Sequence, residues 1–186
     1  MPIAPIDALQ QERVVAETHR CIRRAGRLLA SGFQMVPVRF ELQGRAAGMY
    51  RVHKGERVIR YNPYIFSKYF DDSLANTVPH EVAHYITDVL YGLVNVRPHG
   101  REWQQIMRTL GAEPSVTCRY DLTGIPLRRQ RHFIYRCACT RHALSAVRHK
   151  RSSSGKARYY CRHCRKPVIF SGAVSDSAPG IPVTIR

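Results

Sequence analysis

The chain has 186 residues, 44% of them hydrophobic and 23% charged, with a formal net charge of +17. That is enough for one compact domain plus a small appendage. The composition excludes wholesale disorder, and no run reaches the ~18–20 apolar residues of a membrane span. The first residues, MPIAPIDALQQERVV, lack a basic stretch followed by an apolar one, so no secretory signal is expected. The protein therefore reads as soluble and cytoplasmic, with no membrane partner. In a reducing compartment its six cysteines are free thiols or metal ligands rather than disulfides.

Residues 7–31 predict a long amphipathic helix, because Val14, Thr18, Cys21 with Ile22, Ala25, and Leu28 with Leu29 recur at three- and four-residue steps. Cys21 lies on that apolar stripe and reads as a core thiol. Over 36–61 the period changes to two: Val36, Val38, Phe40 and Leu42 alternate, and MYRVH and RVIRY follow around KGE. This predicts three short strands in one small antiparallel sheet, broken by Asn62-Pro63. Asp71, Asp72 or Ser73 caps a helix that runs to Tyr91 and stops at Gly92. Pro79 inside it means a kink, or a regular helix that starts near the proline. A third helix, HGREWQQIMRTL, ends at Gly111. From about residue 130 the chain turns basic and cysteine-rich, with β-like runs at FIYRC and ARYYC, and the last residues are Ser, Gly and Pro-rich. The fold class is α+β.

His80-Glu81-Val82-Ala83-His84 carries the first chemistry. Four residues rise ~6 Å along a helix, about one turn, so both histidines leave the same face and their ring nitrogens can hold one Zn²⁺. Glu81 turns toward the open side, where it can take a proton from water on the metal and pass it to a leaving group. A catalytic zinc takes a third protein ligand. One known pattern places it six residues beyond the second histidine, and Leu90 stands there. The downstream candidates are His99 and Glu102, of which His99, followed by Gly100 at the start of the third helix, is preferred. Asp88, one turn beyond His84, reads as a solvated residue, with a place behind an imidazole as the alternative. Tyr85 and Tyr91 read as core or surface residues before oxyanion donors.

Cys137-Ala138-Cys139 and Cys161-Arg162-His163-Cys164 carry the second. Two close pairs on either side of a hairpin gather four thiolates round a structural zinc. His142 stands close enough to replace one cysteine, His163 points outward, and Cys118 is structural. A module of this size buries little core, so metal supplies folding energy.

The charge is uneven. Residues 128–166 hold thirteen Lys or Arg and no acidic residue, whereas residues 1–121 hold sixteen basic and twelve acidic residues, a net of +4. Such a block draws polyanions, DNA among them, without sequence specificity. Arg128, Arg129, Arg131, Arg148, Lys150, Arg151, Lys156 and Arg158 are the candidate phosphate contacts. Tyr159 and Tyr160 are available to stack on unpaired bases, with packing preferred for at least one.

VPHEVAHY, RPHGREW, YRCACTRHALSAVRH and YYCRHC, in that order and spacing, make the chain resemble the SprT family, whose eukaryotic relatives include the Spartan protease. The likeness spans roughly residues 6–170. It implies a minimal zincin-like metalloprotease domain over 1–127 followed by a basic zinc-ribbon-like subdomain over 128–170, and the Ser, Gly and Pro-rich composition makes 171–186 a flexible tail. Carried over residue by residue, it implies that His80, His84 and His99 bind the catalytic zinc and that Glu81 is the catalytic glutamate. For Spartan-type members it further implies proteolysis of proteins covalently trapped on DNA, in DNA–protein crosslink repair; the basic block makes single-stranded or otherwise non-sequence-specific DNA the expected partner, and DNA-associated proteins the expected substrates. The alternatives are a zinc-stabilised nucleic-acid-binding protein whose protease site is idle or gated, and a zinc hydrolase of small molecules.

Overall fold

The computed structural model describes residues 3–115, 120–127 and 131–175. It divides into two compact units, Met1–Leu127 and Arg128–Arg186. Helix α1, Ala8–Leu28, begins in a capping box: Asp7 Oδ1 accepts from Gln10 N at 2.8 Å, and Gln10 Oε1 accepts from Asp7 N at 3.1 Å. These bonds satisfy donors that a helix start leaves open. Its buried stripe is Val14, Thr18, Cys21, Ile22 and Ala25, with Cys21 in the core as expected.

The first sheet has the order β1–β3–β2, from Val38–Arg39, Gly48–His53 and Glu56–Tyr61. β2 and β3 form an antiparallel hairpin whose two loop residues, Lys54 and Gly55, both have positive φ, the conformation that matches the twist of the flanking strands. The expectation of a wholly antiparallel sheet is corrected here, because β1 runs parallel to β3. The hairpin takes one side of β3, and the chain from β1 reaches β2 through residues 40–47. β1 therefore lies on the other side of β3; it runs in the same direction, with Ile59 N donating to Pro37 O and Leu42 N to Tyr61 O.

Asn62 does more than break a strand. Its side chain accepts from the amides of Tyr64 and Ile65 and caps a helix that the sequence pattern did not announce, α2, Pro63–Lys68. The helix expected from about residue 71 is interrupted. A short turn, α3, Phe70–Asp72, passes into a wide π-type turn over Ser73–Thr77, and the regular helix α4 is Val78–Tyr91. Pro79 thus lies in the first turn of α4, where its missing N–H is tolerated. A wider turn ahead of it relieves crowding between the ring and the carbonyl four residues earlier. α5 is Arg101–Thr109. α1, the sheet, α4 and α5 share one core that includes Ile22, Tyr61, Val82, Ile86 and Trp103.

The second unit is a three-stranded antiparallel sheet of order β5–β4–β6, from His132–Arg136, Arg141–Ser145 and Ile169–Ser175 in chain order. Helix α6, Ala146–Ser153, follows β5. FIYRC falls largely on β4, but ARYYC contributes only the bridge between Tyr160 and Pro167. Residues 171–175, expected as tail, belong to β6, which pairs with β4. Cys118, Arg128, Arg129 and residues 176–186 lie outside the described residues. The buried core of this unit around Tyr135 is small: Leu144, Cys161 and Val168 join it.

Asp88 ties α4 to the first sheet. Its Oδ2 accepts from Tyr50 OH and Arg57 Nε, each at 2.7 Å, and its Oδ1 accepts from Leu93 N at 3.2 Å. Replacing it by Ala leaves all three donors without that acceptor. Asp88→Ala is expected to lower the unfolding free energy by about 2–3 kcal/mol, read as a fall in the urea midpoint at unchanged slope.

Candidate metal centre

His80 and His84 stand one turn apart on α4, and the loop after α4 returns His99 to them. His99 adopts a left-handed backbone, φ 57°, which costs a non-glycine residue about 1–2 kcal/mol. Gly100 follows because a Cβ there would lie 2.8 Å from the Arg97 carbonyl. The three Nε2 atoms form a triangle with sides of 3.2, 3.1 and 3.1 Å. A tetrahedral zinc with bonds of ~2.0–2.1 Å needs nitrogens about 3.3 Å apart, so the set fits three positions round one ion. Glu102, the other candidate third ligand, is not in the group.

Burial sets the charge state. It lowers His80 to about 4, with help from His99 and against a hydrogen bond to the Ser115 backbone. It lowers His84 to about 3, with both other histidines contributing. Burial also lowers His99. Neutral rings keep the lone pairs that a metal requires. The Ser115 backbone group fixes the orientation of His80, as partners behind metal-binding histidines do. Trp103, fully buried, supports all three rings. Its centroid lies 4.7 Å from those of His80 and His99 and 5.5 Å from that of His84, and its Nε1–H donates to the His80 carbonyl at 3.3 Å. The sequence reading gave Trp103 no role of its own. The available signal was a tryptophan four residues beyond His99 on an amphipathic helix.

Glu81 is buried on the same helix, and its Oε2 accepts from Tyr50 N on β2 at 2.7 Å. Burial pushes its carboxyl up to about 8 against that bond; a cation held by the histidines acts in the opposite direction. Glu81 and His80 line one open cleft of about 750 Å³. Its other walls include Tyr69 and Tyr120, stacked with centroids 4.5 Å apart, and Asp72, which accepts from Tyr120 OH. Asp88 is neither solvated nor behind an imidazole but buried in the tie to the sheet described above. Tyr85 is buried and donates to the Gln34 carbonyl, while Tyr91 is exposed at the end of α4.

The four cysteines of the second unit also converge. Cys137, Cys139, Cys161 and Cys164 offer sulfurs that all lie within 4.8 Å of one another. Cys137 and Cys139 are 3.5 Å apart, and Cys139 and Cys161 are 3.7 Å apart, close to the ~3.8 Å edge of a tetrahedron with zinc–sulfur bonds of ~2.3 Å. The backbone N–H of Cys164 chiefly lowers the Cys161 thiol. For Cys137, burial acts upward, but hydrogen bonds from the Cys139 and Thr140 backbone and from the neighbouring thiols of Cys139 and Cys164 together lower the thiol. His142 is buried with Nε2 3.2 Å from Cys137 Sγ. It is placed to donate to that sulfur, beside a set of four that is already complete. His163 is exposed, Tyr159 packs in this core and Tyr160 is exposed. Arg131, Arg148, Lys150, Arg151, Lys156 and Arg158 are exposed in this unit.

Comparison with known proteins gives the family. The SprT-like family model matches residues 18–129. Protein SprT of Pseudomonas paraeruginosa is 36% identical over 167 residues, 88% of this chain and 98% of that protein. Protein SprT of Pseudomonas aeruginosa is 36% identical over 166 residues, covering 88% and 97%. The chain belongs to the SprT-like family. Protein SprT of Pseudomonas savastanoi is 36% identical over 163 residues, 87% of this chain and 96% of that protein. No solved structure matches the chain significantly. Among the described residues no helix of this SprT-like chain is long and apolar enough to cross a membrane.

Both side-chain groups could hold a metal ion, and their donors, three imidazoles and four thiols, suit zinc. The expected content of the full chain is two zinc ions. His84→Ala and Cys161→Ser should each reduce it to one by elemental analysis, the second also lowering the thermal stability of the second unit.

Proposed function

We propose that this chain is a zinc-dependent endopeptidase that cleaves DNA-associated proteins. The observation that supports it best is that three convergent imidazole nitrogens and the Glu81 carboxylate belong to one helix and loop, with His80 and Glu81 facing one open cleft. His80, His84 and His99 would hold the catalytic zinc. When bound, zinc supplies Lewis acidity toward a peptide carbonyl. Three protein ligands suit a catalytic site, which keeps a position open, and four thiolates suit a structural one. The zincin-like character of the first unit and the zinc-ribbon-like character of the second belong to this reading.

Glu81 carries the proton. Its carboxylate accepts one from the water that attacks the scissile carbonyl and returns it to the departing amine. Tyr50 N–H keeps Oε2 in place during both transfers. The Ser115 backbone and Trp103 hold the histidine rings in the orientation that keeps their lone pairs converged.

The exposed cations of the second unit support the choice of substrate. They recruit DNA through its phosphates, so proteins on that DNA reach a high local concentration. Binding there is also the proposed trigger for cleavage. The experiment is digestion of an unstructured DNA-binding protein by the zinc-loaded chain, with and without single-stranded DNA, beside Glu81→Gln. Cleavage should require DNA and fall by about 10²–10⁴-fold in Glu81→Gln, with both metals retained. Tight DNA binding without any cleavage would instead favour a zinc-stabilised nucleic-acid-binding protein with an idle site.

Neutralising Arg148, Lys150 and Arg151 together should reduce the salt dependence of single-stranded DNA binding. About 0.7 of a counterion per phosphate contact predicts a log–log slope shallower by about 2, measured by anisotropy across a salt series. DNA stimulation should weaken in parallel.

A further inference from the structure

Glu81 does not find its place from α4 alone. A methyl group built on Gly48 would lie 2.6 Å from both Cγ and Oε1 of Glu81 and 2.9 Å from its Cδ. Those three are the nearest atoms it would meet. Two residues along the same strand, Tyr50 N donates to Glu81 Oε2 at 2.7 Å. β2 is the outer strand of its sheet, so this N–H is free to serve the carboxylate. One stretch of strand thus presents a gap and, beside it, a donor.

Backbone shape does not explain the glycine. Gly48 is not among the glycines of positive φ, so an L-residue could adopt its conformation. We infer that Gly48 is a positioning residue for Glu81: its missing side chain is the space the carboxylate occupies, and the Tyr50 N–H locks the carboxylate there. This rests on the proposed role of Glu81 as proton carrier. The atoms a methyl would strike are Cγ, Cδ and Oε1 of one side chain, none of them backbone, and that side chain lines an open cleft. An added methyl therefore displaces the carboxylate before it disrupts the sheet. Misplacing a reacting group by about 1 Å can cost ~10²-fold in rate.

The test is Gly48→Ala in the full-length, zinc-loaded chain, alone and combined with Glu81→Asp, whose carboxylate is drawn back by one methylene. Four quantities are read: zinc content, the amide proton resonance of Tyr50, and kcat and KM on the unstructured DNA-binding protein. Gly48→Ala should keep two zinc ions and move the Tyr50 amide upfield as its bond to carboxylate is lost. Its kcat should fall by about 10²-fold, with KM unchanged. Glu81→Asp should slow the native chain yet raise the kcat of the Gly48→Ala chain by about tenfold, a coupling of opposite signs that a purely structural role would not produce. If Gly48→Ala does not fold, Glu81→Gln tests the same seat without touching the glycine, since replacing the carboxylate should shift the Tyr50 amide. A Gly48→Ala chain with native kcat, or a Tyr50 amide indifferent to either change, overturns the inference. A wild-type chain no more active than Glu81→Gln overturns the hydrolase reading instead, and the Tyr50 resonance then decides the seat by itself.

Discussion

Three imidazole nitrogens must be brought within about 3 Å of one another while staying neutral, and much of the first unit answers to that demand. α4 supplies two of the rings because four residues make nearly one turn. The third must come from a chain segment that doubles back, which explains a left-handed residue at His99 and a glycine after it. Three lone pairs aimed at one point repel unless a cation lies between them, so the surroundings must pay for the convergence. The buried Trp103 ring, set against all three imidazoles, and the backbone partner of His80 do so.

The sheet is part of the same construction. β2 runs beside α4, and two kinds of contact hold it there. Tyr50 reaches Asp88 through its hydroxyl and Glu81 through its amide, so one residue spans both the structural tie and the buried carboxylate beside the histidines. Arg57, on the next strand, reinforces the tie by donating to the same Asp88 oxygen as Tyr50. Asp88 is therefore a joint between helix and sheet, which is why its burial looks costly until its three donors are counted. A carboxylate accepting hydrogen bonds from charged and neutral donors is stabilised in its ionised form, and Asp88 is held below the usual carboxylate range even though burial acts against it.

The second unit solves a different problem. Its apolar core is too small to hold three strands and a short helix by burial alone. Four sulfurs within 4.8 Å of one another, with backbone N–H groups turned toward them, could hold a metal ion, and a bound metal would compensate. Thirteen cations without an acidic residue in 128–166 repel one another, and four thiolates with one divalent ion would carry −2 into their midst. Metal binding and charge balance thus work in the same direction there.

The sequence by itself determined what depends on short-range geometry. The spacing of His80 and His84 encodes a shared helical face, the paired cysteines encode a turn on either side of a hairpin, and MYRVH and RVIRY around KGE encode a hairpin, although only the structure assigns Glu56 to the strand and leaves two loop residues. Each is set by residues at most a few positions apart, where helix and strand periods dictate direction. The choice of His99 over Glu102 already needed a chain reversal that periodicity does not describe. Only the tertiary structure decided the partners brought from far along the chain. β1 takes the side of β3 that the hairpin leaves free and runs parallel to it. Asp88 meets Tyr50 and Arg57, more than thirty residues away, because α4 packs on the sheet. Trp103 closes beneath the histidines because α5 packs on α4. The need for Gly48 is invisible in its own neighbourhood, since the space it leaves is filled by a side chain from another element. Contacts of this kind follow from packing, and packing is a property of the assembled core rather than of any stretch of sequence.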